Sequence, residues 1–249
     1  AGVRLRAPMM RIHSVAAGGG SICTFDGSKF RVGPESAGAN PGPAAYRRGG
    51  PITVTDCNII VGKLRPELFP AVFGPNGDQS LDSETVHKEF AYLASEIEKA
   101  TGRNMSHQEI AAGFLRIAVE NMANAIKHIS VQRGYDVSAY TLTCFGGAGG
   151  QHACMVADAL GMHRVYIHPL AGVLSAYGMG LADVRTLKQA AIERRLSDPQ
   201  LQSLGAVFRA LSEHAQSEVA AQGFAKGQIR IAKTLALKYD GTDTTIELP

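Results

Sequence analysis

Apolar and polar positions alternate in short bursts at the start of the chain. Arg11-Ile12-His13-Ser14-Val15, Ile22-Cys23-Thr24-Phe25 and Lys29-Phe30-Arg31-Val32 have the β-branched or aromatic character of short strands. Asp26-Gly27-Ser28 between the last two predicts a hairpin, because Asp-Gly supplies the backbone that a tight turn requires. Residues 33–50 lose this periodicity and are rich in Gly, Pro and Ala, as in a long ordered or functional loop. Thr53-Val54-Thr55-Asp56 leads into a helix through Leu64, and residues 66–82 form a second turn-rich stretch. Two long helices follow. One covers 83–100 and is closed by Gly102; the other opens on a capping box, Ser106 with Glu109. In the second, Ile110, Phe114, Ile117, Met122, Ala125 and Ile129 recur at helical spacing, a stripe that reads as core rather than as a cofactor-binding face.

Farther along, Thr141-Leu142-Thr143-Cys144-Phe145 reads as a strand, residues 151–160 as a helix stopped by Gly161, and Arg164-Val165-Tyr166-Ile167 as another strand. Strand, helix and strand in so short a span imply a right-handed parallel crossover, hence an α/β fold. A helix near 173–182, a strand at 188–195, a helix at 199–222 and strands at 229–239 and 244–248 complete the pattern.

Composition narrows the class. With 45% hydrophobic and 19% charged residues the chain is ordinary for a soluble globular protein. The net charge is only +3 and no Lys/Arg block stands out, so a nucleic-acid partner is unsupported. Cys23, Cys57, Cys144 and Cys154 lack a Cys-x-x-Cys pair, which excludes zinc-finger and disulfide-scaffold readings. The longest uncharged apolar run, 169–182, is shorter than the ~20 residues of a membrane span. No secretory signal pattern opens the sequence, so the default is a cytoplasmic protein without a membrane partner. The chain starts at Ala1 and stops inside an alternating strand pattern, which gives the expectation of a piece of a longer protein.

Two glycine-rich turns carry the candidate chemistry: Ala17-Gly18-Gly19-Gly20-Ser21 and Phe145-Gly146-Gly147-Ala148-Gly149-Gly150. Backbone that approaches a polyanion and offers several N–H groups at once has no room for side chains, so clustered glycine suits a phosphate site. Strand, glycine turn and helix N-terminus, as at 141–160, add the helix dipole. Either cluster alone reads equally well as a tight turn; the pair favours a nucleotide. The Rossmann pattern is not met, because Gly147-Ala148-Gly149-Gly150-Gln151-His152 lacks the third glycine and no acidic residue follows at the ribose-binding distance. No Gly-Lys-Ser/Thr follows either cluster, so it is not a P-loop.

A hairpin glycine turn followed much later by strand, glycine turn and helix resembles the C-terminal half of the actin-like ATPases, with their ribonuclease H-like fold. Local wording is narrower still. Ile12-His13-Ser14-Val15-Ala16-Ala17-Gly18-Gly19-Gly20-Ser21-Ile22, Val32-Gly33-Pro34-Glu35-Ser36-Ala37-Gly38-Ala39-Asn40-Pro41-Gly42-Pro43-Ala44, Thr53-Val54-Thr55-Asp56-Cys57-Asn58 and Phe145-Gly146-Gly147-Ala148-Gly149-Gly150-Gln151-His152-Ala153 resemble the hydantoinase A/5-oxoprolinase family, in order, over most of residues 9–183. Leu237-Lys238-Tyr239-Asp240-Gly241-Thr242-Asp243-Thr244 is more similar to its 5-oxoprolinase branch. The family's opening Asp-x-Gly-Gly-Thr phosphate loop does not occur here. The resemblance therefore implies the later half of the ATPase subunit, with residues 1–195 as the C-terminal lobe of the core, 66–134 as a helical insertion, and 196–249 as the start of a following α/β region.

What the resemblance implies is an ATP-dependent 5-oxoprolinase that opens 5-oxo-L-proline to L-glutamate, this part being inactive alone. The same ATPase half in the family also serves hydantoin hydrolysis and ketone carboxylation, and a non-catalytic nucleotide-binding module serving a partner is a further alternative. Partners implied are a lactam or other cyclic amide as substrate and a hydantoinase B-like subunit or fused domain; a homo-oligomer stays open. ATP and a divalent metal such as Mg²⁺ are the implied cofactors.

Gly18, Gly19, Gly20 and Ser21 are the candidate phosphate contacts, with Gly146, Gly147, Ala148 and Gly149 on the nucleoside side. Asp56 has two readings of equal weight, a helix cap or a metal- or water-positioning catalytic carboxylate, and Asp56→Asn is expected to keep the cap while removing the charge. His13 and His152 could join Asp56 on a divalent metal, although a lone histidine in such a place is more often structural. Cys57 reads as a buried thiol rather than a nucleophile. Arg47-Arg48 could meet an anionic substrate or simply be a solvated pair.

Overall fold

The Asp26-Gly27 turn folds β1 (Ser21–Phe25) and β2 (Phe30–Ser36) into an antiparallel hairpin, pairing Cys23 with Val32 and Phe25 with Phe30. The Asp26 carboxylate accepts from the amides of Ser28 and Lys29 and from Arg31 Nε, while Gly27 takes the left-handed backbone, φ 90°. The structure, a computed structural model, describes residue 15, residues 17–242 and residues 245–249. They fall into two units, 11–179 and 180–249.

In the first unit the hairpin is followed by a loop and then α1 (Val54–Ile60), α2 (Ser83–Thr101) and α3 (His107–Ile129). Each long helix begins and ends where its local chemistry dictates. The Asp82 side chain accepts from Thr85 N at 3.0 Å to start α2, and Gly102 ends it at φ 71°. Ser106 and Glu109 form the reciprocal capping box of α3. Both helices turn one apolar face inward. Val86, Phe90, Leu93 and Ile97 of α2 meet Ile110, Ala111, Phe114 and Leu115 of α3, against Val54, Cys57 and Ile60 of α1 and Cys23 and Val32 of the hairpin. The rings of Phe30 and Phe114 stack at 4.7 Å. A β-carbon at Gly113 would lie 2.9 Å from the Phe30 ring, which accounts for a glycine in the middle of α3. Burial of each large apolar side chain contributes ~1.5–3 kcal/mol.

The other end of α3 serves a second cluster. Val119 and Ala123 pack on Val156, Ala157 and Leu160 of α4 (Ala153–Leu160) and on Met162. On either side of α4, β3 (Thr141–Cys144) and β4 (Arg164–Ile167) pair in parallel, Thr141 with Arg164 through Cys144 with Ile167, which is the expected crossover. Thus α3, inside the stretch set apart from sequence as an insertion, is the spine shared by both clusters. α5 (Leu174–Leu181) follows β4.

The later unit holds α6 (Leu204–Ala221) and an antiparallel pair, β5 (Leu235–Leu237) and β6 (Ile246–Leu248). Here sequence patterning overreached. Residues 188–195 form no strand: they carry one β-branched residue, Ile192, and the Lys188 ammonium pairs instead with Glu218 of α6. The strand predicted over 229–239 shrinks to the three residues that β6 can pair. The division between units also falls near residue 180 rather than 196.

Candidate functional site

The first glycine turn precedes β1 and is fastened from both sides. Ser21 N donates to Gly18 O at 3.0 Å, closing the turn, and Ala37 N donates to Gly20 O at 2.8 Å. Thr55 of α1 donates twice to Gly19 O, from its amide at 2.9 Å and from Oγ1 at 3.0 Å. A β-carbon at Gly19 would meet Thr55 Oγ1 at 2.7 Å, and one at Gly20 would meet Ser36 Oγ at 2.9 Å; around Gly18 the space is open. Glycine at 19 and 20 is thus a packing requirement as well as a conformational one.

The second turn follows β3. Gly146 stands at φ 90° with its amide on Ala171 O, and the chain then winds through a short 3-10 turn, Gly149–Gln151, into α4. The expected helix start at 151 therefore belongs to this 3-10 turn, with His152 capping α4. The two turns come together. The β-carbon that Gly19 lacks would lie 4.0 Å from Ala148 Cβ. Among the described residues the amides of Gly19, Gly20, Gly147 and Ala148 donate to no protein acceptor, leaving N–H groups on both turns for an anion.

α1 links the turns. While Thr55 holds Gly19, Asn58 Nδ2 donates to Gln151 Oε1 at 2.7 Å and lies 3.3 Å from His152 Nε2. Lys63, just beyond the helix, donates to Gln151 O at 3.1 Å. Asn58 and His152 are buried, and among the described residues Asn58 Oδ1 and His152 Nδ1 have no partner. Burial lowers the proton affinity of the His152 ring and the Lys63 charge adds to the effect, so the imidazole is neutral.

Asp56 sits on the same helix but faces the other way chemically. Its Oδ2 accepts from Thr53 N at 2.8 Å, Thr53 Oγ1 at 2.9 Å and Ala44 N at 3.2 Å; its Oδ1 accepts from Ala45 N at 2.9 Å. It is fully buried. Burial pushes its carboxyl upward, against the donors of Ala45, Thr53 and Ala44 that favour the charged form. The carboxylate is the N3 member of the α1 capping box and the anchor of the 37–51 loop. Both oxygens are taken by protein donors.

Of the proposed metal set, His13 lies outside the described residues, Asp56 is occupied as above, and His152 Nε2 faces Asn58. Among the described residues no group of three or more His, Cys, Asp or Glu is arranged to hold a metal ion. Cys57 touches Cys23, Sγ to Sγ 3.8 Å, and this contact followed by burial keeps its thiol protonated, so it is no nucleophile. The arginine pair is committed to the loop. Arg47 binds Ser80 O and Asp82, and Arg48 binds Gly74 O and Ala39 O. Thr55, Asn58, Lys63 and Gln151 were not singled out from sequence; the only signal was that all but Lys63 sit within the resembling blocks.

No helix among the described residues is long and apolar enough to cross a membrane. The chain is 44% identical over 247 residues to 5-oxoprolinase of Saccharomyces cerevisiae, covering 99% of the chain and 19% of the yeast protein. It is 32% identical to caprolactamase subunit alpha of Pseudomonas jessenii, covering 96% of the chain and 34% of that subunit. The crystal structure of that ATP-dependent caprolactamase shares the fold with a TM-score of 0.64. A nucleotide-free acetone carboxylase superposes with a TM-score of 0.71 at 23% identity, over 93% of this chain and 33% of the other. The chain thus spans only a fifth to a third of the length of these relatives. A family model described as hydantoinase/oxoprolinase matches residues 1–188, and the chain belongs to that family.

Proposed function

We propose that this chain is the nucleotide-clamping part of an ATP-dependent cyclic amide hydrolase, and specifically of a 5-oxoprolinase. The observation that carries the reading is the meeting of two glycine turns, Gly19 against Ala148, with N–H groups on each that donate to no acceptor among the described residues. Gly18, Gly19 and Gly20 take the phosphates, with Ser21, buried and spending its amide on Gly18 O, closing the turn behind them; Gly146, Gly147, Ala148 and Gly149 pack on the nucleoside side. The similarity to the yeast 5-oxoprolinase and to an ATP-dependent caprolactamase supports a lactam as substrate.

A five-membered lactam is an unstrained amide, and hydrolysis to the amino acid is uphill without coupling. Transfer of the γ-phosphoryl group from ATP to the amide oxygen, with ADP leaving, makes the ring carbon open to water. The tetrahedral adduct collapses by breaking the C–N bond, the hydroxyl proton passing to the departing ring nitrogen, and a second water hydrolyses the resulting acyl phosphate to carboxylate and phosphate. This chain's share is to position the phosphates and to offer fixed amide dipoles to the charge that moves during transfer. A divalent cation accompanies such phosphates, and we assign it no ligand from His13, Asp56 or His152. A hydantoinase B-like subunit or fused domain completes the enzyme. The test is a calorimetric ATP titration of the full-length enzyme, wild type and Gly19→Val, with 5-oxoproline turnover and ATP hydrolysis measured together. Binding and coupled turnover that Gly19→Val abolishes support the reading; ATP binding unaffected by that branched side chain overturns the clamp.

A further inference from the structure

Thr55 and Asn58 stand three residues apart on α1, and residues so spaced lie on the same side of a helix. One reaches the phosphate turn through Gly19 O; the other reaches the second turn through Gln151 and His152. Both amide protons of Asn58 are engaged at that second contact, one by Gln151 Oε1 and one by the His152 ring. Because Nε2 is the acceptor there, the proton of the neutral ring sits on Nδ1. The arrangement is not the one that stability alone selects. A fully buried asparagine whose Oδ1 has no partner among the described residues, beside a buried ring whose Nδ1 has none there either, is rare in folded proteins and costs free energy that an apolar pair of the same shape avoids. What the polar contact supplies is direction and register between two loops that no β-ladder joins among the described residues.

We infer that Asn58 is a positioning residue that couples the two glycine turns, with α1 as the rigid spacer and the Gln151-His152 contact as its latch on the nucleoside side. The inference rests on the nucleotide reading above. Loosening the latch lets the Gly146–Gly149 turn drift away from Gly19, so ATP is held by one turn at a time. Affinity for ATP falls while the lactam site is untouched. Gln151 contributes an acceptor from a half-buried position, so its truncation leaves no cavity in the core.

The test uses the full-length enzyme as wild type, Asn58→Ala, Gln151→Ala and the double variant, with ATP affinity by calorimetry, KM for ATP and for 5-oxoproline, and melting temperature. Each single substitution is expected to weaken ATP binding about tenfold, the loss of one buried hydrogen-bonded contact. The double variant is expected to be no weaker than the worse single, and KM for 5-oxoproline to stay constant. A purely structural role lowers the melting temperature of every variant but leaves ATP affinity unchanged, and that result overturns the proposal. So do effects that add in the double variant. If Asn58→Ala fails to fold, Gln151→Ala decides by the same criterion. Absence of ATP binding in the wild-type enzyme overturns the nucleotide reading itself, whereas normal wild-type binding with unaffected variants overturns the latch alone.

Discussion

Thr55 donates both its amide and its hydroxyl to the carbonyl of Gly19, at 2.9 and 3.0 Å, and the same hydroxyl occupies the space a Gly19 side chain would need. The two residues therefore constrain each other. Gly19→Ala forces the Thr55 side chain off its acceptor, an overpacking cost of about 1–3 kcal/mol. Thr55→Ala removes one hydrogen bond, worth about 1 kcal/mol. Together they should be less harmful than their sum, because the second change clears room for the first, with a coupling of about 1 kcal/mol. Thermal and urea unfolding of the four proteins measures it, and strict additivity would show that the β-carbon at 19 escapes in another direction.

Asp56→Asn is the substitution on which sequence and structure part company. Read as a cap, Asp56 tolerates asparagine; read in place, it cannot. The amide nitrogen of asparagine would replace one of two oxygens that both accept from N–H or O–H donors, setting donor against donor at Ala45 or at Thr53 and Ala44. Loss of these charge-assisted bonds should cost about 2–3 kcal/mol. The melting temperature is expected to fall, with the loop around Ala44 and Ala45 becoming more susceptible to proteolysis. A variant that melts like wild type yet has lost turnover would return Asp56 to the chemistry.

These two cases show what the sequence made legible. Locally encoded features were readable because their cause lies within a few residues: the Asp26-Gly27 turn, the Ser106/Glu109 capping box, Gly102 and Gly161 as helix stops, and the parallel β3–α4–β4 crossover. The glycine clusters were legible as turns, and only their pairing favoured a nucleotide. Apart from Thr53, the partners of Asp56 are backbone amides of a loop whose path no periodicity reveals, so a carboxylate at a helix start left cap and metal roles equally open. Asn58 and Gln151 stand 93 positions apart, and neither residue type is distinctive. Strand 188–195 failed because a segment with one β-branched residue has little β preference of its own, and among the described residues no strand pairs with it.

His152 gives the fold a pH dependence of known sign. Burial and then Lys63 hold its proton affinity below the ordinary value of 6.5, so the folded protein keeps the ring neutral where the unfolded chain begins to bind a proton. Stability contributed by the neutral ring is complete above that value. It declines as pH falls from 6.5 toward the lowered native value, because protons bind the unfolded state preferentially. Melting temperatures of wild type and His152→Gln between about pH 5 and 8 separate this residue from the other groups that titrate there. The variant should show a shallower decline below neutrality; parallel curves would mean the ring reaches solvent when protonated.

Gly149 and Cys144 form the counterpart of the Thr55 and Gly19 pair on the second turn. A β-carbon at Gly149 would lie 2.8 Å from Cys144 Sγ, closer than real contacts allow, and the thiol is buried at the end of β3 with little freedom to retreat. Gly149→Ala should therefore displace the 3-10 turn that carries Gln151 and His152, at about 1–3 kcal/mol in stability. Cys144→Ala alone leaves a small cavity and should cost about 1–2 kcal/mol. If steric conflict is the cause, Cys144→Ala restores in the double variant most of what Gly149→Ala loses, both in melting temperature and in ATP affinity of the full-length enzyme. Rescue of stability without rescue of ATP binding would mean that the amide geometry of Gly149 itself, rather than the room around it, is what the nucleotide site requires.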